Sequence, residues 1–94
     1  MEKQDKISDE KLENYFKITK ESIEIIKKSV AKCKEKEAEE VIEMASAYLG
    51  DAEYFRKKGD YVNCLASLSY AYGWIDCAAR LGVFSVSDRK RFTV

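Results

Sequence analysis

The sequence of 94 residues contains no histidine, no proline, and only four glycines and three cysteines. Without histidine the chain cannot form the Ser–His or Cys–His pairs of nucleophilic enzymes, and it lacks the commonest metal ligand. The four glycines are isolated and do not form a glycine-rich phosphate-binding loop. We therefore expect no catalytic residues, no metal and no cofactor, and we favour a protein that is not an enzyme.

The three cysteines, Cys33, Cys64 and Cys77, show no C-x-x-C spacing. Cys64 and Cys77 fall on one predicted helix, about 20 Å apart at 1.5 Å per residue, which is too far for a disulfide. We predict that all three cysteines are buried or half-buried apolar residues.

Charge is balanced, with 17 basic and 17 acidic residues. A neutral chain lacks the positive charge that attracts nucleic acid or acidic membranes, and we expect the cluster Arg89-Lys90-Arg91 to be a solvated segment. No apolar run approaches the ~20 residues that cross a bilayer, and the N-terminus lacks an apolar signal core. These features predict a cytoplasmic protein with neither a nucleic-acid nor a membrane partner.

Apolar residues recur with spacings of three and four along three segments, which predicts an all-α domain, an antiparallel three-helix bundle. The helices are expected at about residues 8–33, 37–58 and 60–81. Residues 1–7 are expected to be flexible, and residues 83–94 to form a short irregular tail with Phe84 packed back on the bundle.

The helix boundaries are predicted from capping residues. Ser8 and Asp60 are expected to cap the first and third helices, while Gly59 and Gly82 end the second and third. Because so few residues join the second and third helices, these two must form an antiparallel hairpin. A turn or kink is expected near residues 34–36, and one long bent helix is the alternative.

The third helix carries apolar residues on two sides. Its first stripe is expected to enter the core and consists of Tyr61, Leu65, Leu68, Tyr72, Ile75 and Ala79. A second stripe lies roughly opposite and consists of Tyr70, Trp74, Cys77 and Leu81. Either this helix is central, with the tail over its back, or the second stripe is an interface, most simply with a second copy across a two-fold axis. We expect a homodimer or another protein partner.

A second candidate site lies beside the seam between the second and third helices. It consists of Tyr48, Asp51, Tyr72, Asp76 and Arg80, which together could hold a small ligand. The alternative is ordinary helix packing with an Asp76–Arg80 pair. Mid-helix Gly73 further predicts that some group approaches its backbone closely.

The segment from Tyr48 to Gly82 is similar to an archaeal family known as domain of unknown function 357. The shared motifs are Asp51-Ala52, Gly59-Asp60-Tyr61, the Ser69-Tyr70-Ala71-x-Gly73-x-x-Asp76 helix and Arg80-Leu81-Gly82. The resemblance implies a short helical bundle from an archaeon and supplies no activity. In some members the domain sits beside a nucleotidyltransferase-like domain, which implies an accessory or interaction role.

Residues and resemblance together favour a non-catalytic protein–protein interaction or oligomerisation module. The alternative is a small-ligand or nucleotide-related accessory domain that uses the seam between the second and third helices.

Overall fold

The computed structural model describes residues 7–85, which form α1 (Asp9–Lys27), α2 (Glu35–Lys57) and α3 (Tyr61–Arg80). No β-strand occurs within those residues, where the only extended pairing is an isolated bridge between Val30 and Phe84. The predicted all-α three-helix bundle is confirmed. The expected flexible N-terminus, apart from Ile7, and the tail beyond residue 85 lie outside the described residues.

The helix ends follow the capping chemistry of the sequence. The Ser8 side chain accepts a hydrogen bond from the backbone N–H of Lys11 at 3.1 Å and begins α1. Asp60 begins α3 in the same way, accepting from the backbone N–H of Asn63 at 3.1 Å. Gly59, between α2 and Asp60, has a φ of 77°, the left-handed conformation that glycine adopts without a steric penalty. These predicted caps are confirmed.

The predicted end of the first helix was wrong, because α1 stops at Lys27 rather than at residue 33. The connection at residues 28–34 instead meets the start of the tail: the N–H of Ala31 donates to the Val83 carbonyl at 3.0 Å. Val30 occupies the next apolar position of the α1 pattern, but it lies beyond the end of the helix. Its apolar side chain is explained by its pairing with Phe84. Phe84 is buried as predicted, and a single bent helix is excluded.

Two clusters of buried residues form the core. One surrounds the start of α1 and the α2–α3 turn and consists of Leu12, Phe16, Ala52, Cys64 and Leu68. The other lies at the opposite end and consists of Ile23, Ile26, Ala38, Val41, Ala45, Ala71, Ile75, Ala78, Val83 and Phe84. Many of the α2 and α3 members are alanines, and short side chains let helix axes approach closely. The α2–α3 hairpin is accordingly the most closely packed pair of helices.

The buried face of α3 is rotated from the predicted stripe. Of that stripe only Leu68 and Ile75 are buried, and its other four residues are half-buried. The remaining buried positions are taken by small residues: Cys64, Ser67, Ala71 and Ala78. The expectation for cysteine is therefore met at Cys64, where burial raises the pKa of the thiol, and is wrong for Cys33 and Cys77, which are exposed.

Polar contacts fix α1 against the turn end of the hairpin. Arg56 donates to the Glu13 carboxylate, which raises the pKa of the guanidinium, and lies over the Phe16 ring at 5.6 Å. Tyr61 donates its hydroxyl to Asp9, and this hydrogen bond raises the pKa of the phenol. The first residues of α1 and α3 therefore lie side by side, and the two helices run in the same direction.

Candidate functional site

The second stripe of α3 is exposed to solvent in the protomer. Tyr70 is 61% exposed, Trp74 38% and Leu81 73%, and Cys77 lies exposed among them. We call these four residues the α3 surface. Isolated exposed apolar residues are ordinary, but several large ones on one helical face are typical of binding surfaces.

The start of the tail does not cover the α3 surface. Val83 and Phe84 are buried against the core cluster that contains Ile23 and Ile26. Leu81 therefore stays exposed although the chain turns back only one residue later, at Gly82. Residues 83–85 therefore do not hide the back of α3, and the rest of the tail, to which the alternative expectation also applied, lies outside the described residues.

A tyrosine from α2 lies beside the α3 surface. The rings of Tyr48 and Tyr70 are 5.3 Å apart between centroids and inclined by 34°. An aromatic pair of this kind contributes about 0.5–1.5 kcal/mol beyond area burial. Tyr48 is half-buried, so this contact supports the Tyr70 ring from one side while most of the ring remains in solvent.

Gly73 leaves a gap at the edge of the α3 surface, beside Tyr70 and Cys77. A Cβ placed on Gly73 would have no neighbouring atom within 4 Å, so the expectation that something approaches this backbone is wrong for residues 7–85. Gly73 lies three residues from Tyr70 and four from Cys77, and it is exposed. The helix therefore presents bare backbone between larger apolar side chains, which is where another chain could approach closely.

Tyr48 and Tyr72, two of the five residues of the predicted ligand seam, lie on different sides of α3. Tyr48 packs on Tyr70, and Tyr72 lies two residues further along α3, about 160° around the helix from Tyr70. Asp51 is exposed one turn from Tyr48. Two shallow grooves, of about 460 and 430 Å³, are lined by other residues.

One part of the seam does form a polar contact. The Nε–H of Arg80 donates to Oδ2 of Asp76 at 3.1 Å, the i,i+4 pair expected from the sequence. The other carboxylate oxygen, Oδ1, is buried and has no hydrogen-bond partner among residues 7–85. Burying an acceptor without a hydrogen bond costs folding free energy. This oxygen is therefore available to accept a hydrogen bond from a ligand or from water.

The larger groove was missed by sequence reasoning. It is lined by Val30, Glu35, Glu39, Ile42 and Glu43, three of which are glutamates spaced by four residues. That spacing was visible in the sequence, but Val30 joins the groove only because α1 ends early. Within residues 7–85, no three metal-ligating side chains come close enough to hold a metal ion.

A family model described as a protein of unknown function, DUF357, matches residues 14–84. The match includes all of α2 and α3, and it bears out the resemblance seen in the sequence motifs. No curated protein and no solved structure matches the chain. No helix in the described part of the chain is both long and apolar enough to span a bilayer.

Proposed function

We propose that this chain, which belongs to the DUF357 family of proteins of unknown function, is a non-catalytic interaction module that pairs with a second copy of itself through the α3 surface. The observation that carries the proposal is the exposure of Tyr70, Trp74 and Leu81 on one face of a helix that has only two charged side chains. Tyrosine and tryptophan are among the residues that most often dominate the binding energy of protein interfaces.

The spacing of the α3 surface supports a second copy as the partner. Its four residues are separated by four, three and four positions, a pattern that is the same when read from either end. A two-fold axis between Ile75 and Asp76 would place Tyr70 opposite Leu81 of the second copy and Trp74 opposite Cys77 of the second copy. Such a self-complementary surface is what an isologous dimer requires.

Gly73 supports the same arrangement. An exposed glycine in mid-helix costs about 1 kcal/mol relative to alanine, and no atom of residues 7–85 fills the space beside Gly73. Gly73 lies less than one helical turn from the two-fold axis described above. A second α3 packed across that axis would use this space, because helices can approach closely where a side chain is absent. The cost to the isolated helix would then be offset by tighter packing between copies.

Sedimentation equilibrium of the wild-type protein beside Tyr70→Glu and Trp74→Glu tests the proposal. Each substitution places a charge in the contact, and loss of an anchor residue costs about 2 kcal/mol or more, roughly a 30-fold weaker dimer. Tyr54→Glu is the matched control, because Tyr54 is a similarly exposed tyrosine (56%) on α2. We expect dimers for wild type and control, and monomers for both α3 variants.

Circular dichroism of each variant shows whether the protomer stays folded. A wild-type protein that is monomeric at all concentrations would refute the dimer. Dimerisation of the Tyr70 and Trp74 variants as tight as that of the Tyr54 control would refute it equally.

A small-ligand function is the second candidate, and the unpartnered Oδ1 of Asp76 favours it. The Asp76–Arg80 pair would offer both an acceptor and a cation to a small polar ligand. A thermal-shift screen with nucleotides and small anions tests this candidate, with Asp76→Asn and Arg80→Ala as the site variants. Stabilisation of wild type that both variants lose would support the ligand site, and no stabilisation would leave it without support.

The archaeal origin implied by the resemblance and the cytoplasmic location implied by the composition stay predictions. The proposed self-association needs neither of them, because it depends only on the exposed residues of α3.

A further inference from the structure

The start of α2 and the connection before it form an open, mostly apolar groove of about 460 Å³. Val30 and Ile42 supply its apolar side chains, and both are half-buried. Glu35, Glu39 and Glu43 line it as well, and all three are exposed. The groove thus offers apolar contact together with a row of carboxylates.

The three carboxylates of this row are like charges spaced by four residues on α2. Glu35, Glu39 and Glu43 form no ion pair within residues 7–85. Like charges four residues apart on a helix repel one another by a few tenths of a kcal/mol per pair. A basic segment with apolar side chains would relieve this repulsion and cover Val30 and Ile42 at the same time.

The described chain ends at the edge of this groove. Phe84 pairs with Val30, one of the groove residues, and the N–H of Ser85 donates to the Ser29 carbonyl at 2.7 Å. The next nine residues, 86–94, contain three cations and one carboxylate, with apolar residues on both sides of the cations. The cations are Arg89, Lys90 and Arg91, the carboxylate is Asp88, and the apolar residues are Val86, Phe92 and Val94.

We propose that residues 86–94 bind in the groove of their own protomer, with Arg89, Lys90 and Arg91 along the glutamate row and an apolar residue of the tail against Val30 and Ile42. The tail is long enough to reach the glutamate row. Arg89 follows Ser85 by four residues, up to about 13 Å of extended chain, and the glutamate row spans eight residues of helix, about 12 Å. The assignment is independent of the α3 surface.

In this arrangement the groove is a binding site for segments that carry both basic and apolar side chains. The protein's own tail occupies that site. The ion pairs are solvent-exposed, so each is weak and screened by salt. The contact therefore holds the tail loosely, and salt releases it.

Tryptic cleavage after Arg89, Lys90 and Arg91 measures this contact in the full-length protein, with the products followed by mass spectrometry at low salt. The groove variant carries Glu39→Gln and Glu43→Gln. The matched control carries Glu10→Gln and Glu40→Gln, which remove the same charge from exposed positions outside the groove. Two exposed ion pairs predict cleavage roughly two- to tenfold faster in the groove variant, with the control equal to wild type.

A charge exchange provides a second readout that general destabilisation cannot imitate. Glu39→Lys with Glu43→Lys should speed cleavage of the wild-type tail. A tail that carries Arg89→Glu with Arg91→Glu should instead be cleaved after Lys90 more slowly beside the lysine-substituted groove than beside the wild-type groove, and the identical tail cancels any direct effect of its glutamates on trypsin. Equal Lys90 cleavage in wild type, groove variant and control would overturn the proposal. Protection that falls on dilution would also overturn it, since the tail would then occupy the groove of a second copy.

Discussion

The buried face of α3 holds smaller side chains than its exposed face, the reverse of what hydrophobic burial alone predicts. The face in the core holds mostly small residues, such as Cys64, Ala71 and Ala78, which are almost completely buried. The α3 surface holds Tyr70, Trp74 and Leu81, which are exposed. Hydropathy therefore did not select the buried face of this helix; side-chain size at the contact with α2 did.

The reason lies in the packing of the hairpin. Ala38, Ala45 and Ala52 of α2 are all buried, and they belong to the same core clusters as the small residues of α3. Alanine against alanine or cysteine brings two helices close together, and a tyrosine or tryptophan at those positions would push them apart. Large apolar residues are then left on the outside, where they reduce stability little and are available to another chain.

The largest contrast is expected from truncating one large residue on each face. Ile75→Ala removes a fully buried side chain and should destabilise the fold by about 2–5 kcal/mol. Leu81→Ala, on the α3 surface, should change stability by less than about 0.5 kcal/mol. Urea unfolding followed by circular dichroism at low protein concentration measures both. Similar losses for the two variants would mean that Leu81 is packed within the protomer.

An intermediate effect is expected from enlarging a small residue. Ala71→Leu places a larger side chain in the close α2–α3 contact and should cost about 1–3 kcal/mol. Ser69→Leu is the control, because Ser69 is exposed on the same helix. If Ala71→Leu unfolds at the same urea concentration as Ser69→Leu, the close contact does not depend on small residues.

The smallest effect is expected from replacing the two mid-helix glycines, Gly73 of α3 and Gly50 of α2, with alanine. Gly73→Ala and Gly50→Ala fill open space in mid-helix, and each should stabilise the isolated protomer by up to about 1 kcal/mol. Of the two glycines only Gly73 lies beside the α3 surface, so only Gly73→Ala should also weaken self-association. The thermal midpoint measures stability and sedimentation measures association. Equal association of both variants with wild type would remove Gly73 from the contact.

Most of the fold could be predicted from spacing and capping. Ser8, Gly59 and Asp60 act locally, so their neighbours in sequence are enough to reveal them. The early end of α1 could not be predicted, because Val30 fits the helical spacing and its partner, Phe84, is 54 residues away. Cys33 likewise fits the spacing, yet it has a φ of 68°, which the connection imposes.

The candidate sites were predictable to different degrees. The α3 surface followed from counting apolar residues around one helix, since two companion helices cannot cover its whole circumference. The ligand seam required knowing how α2 is rotated against α3. That rotation depends on small residues such as Ala45 and Ala71, to which hydropathy gives little weight. As a result Tyr48 packs on Tyr70, on the opposite side of α3 from Tyr72.

The central claim is that the α3 surface contacts a second copy, and the wild-type cysteines test it without any substitution. Cys77 lies on that surface, Cys33 is exposed elsewhere, and Cys64 is buried with a raised thiol pKa. Maleimide labelling of each cysteine is followed by mass spectrometry as protein concentration rises. We expect labelling of Cys77 to slow while labelling of Cys33 keeps its rate and Cys64 reacts slowly throughout. A Cys77 rate that, like that of Cys33, is the same at every concentration would contradict the claim.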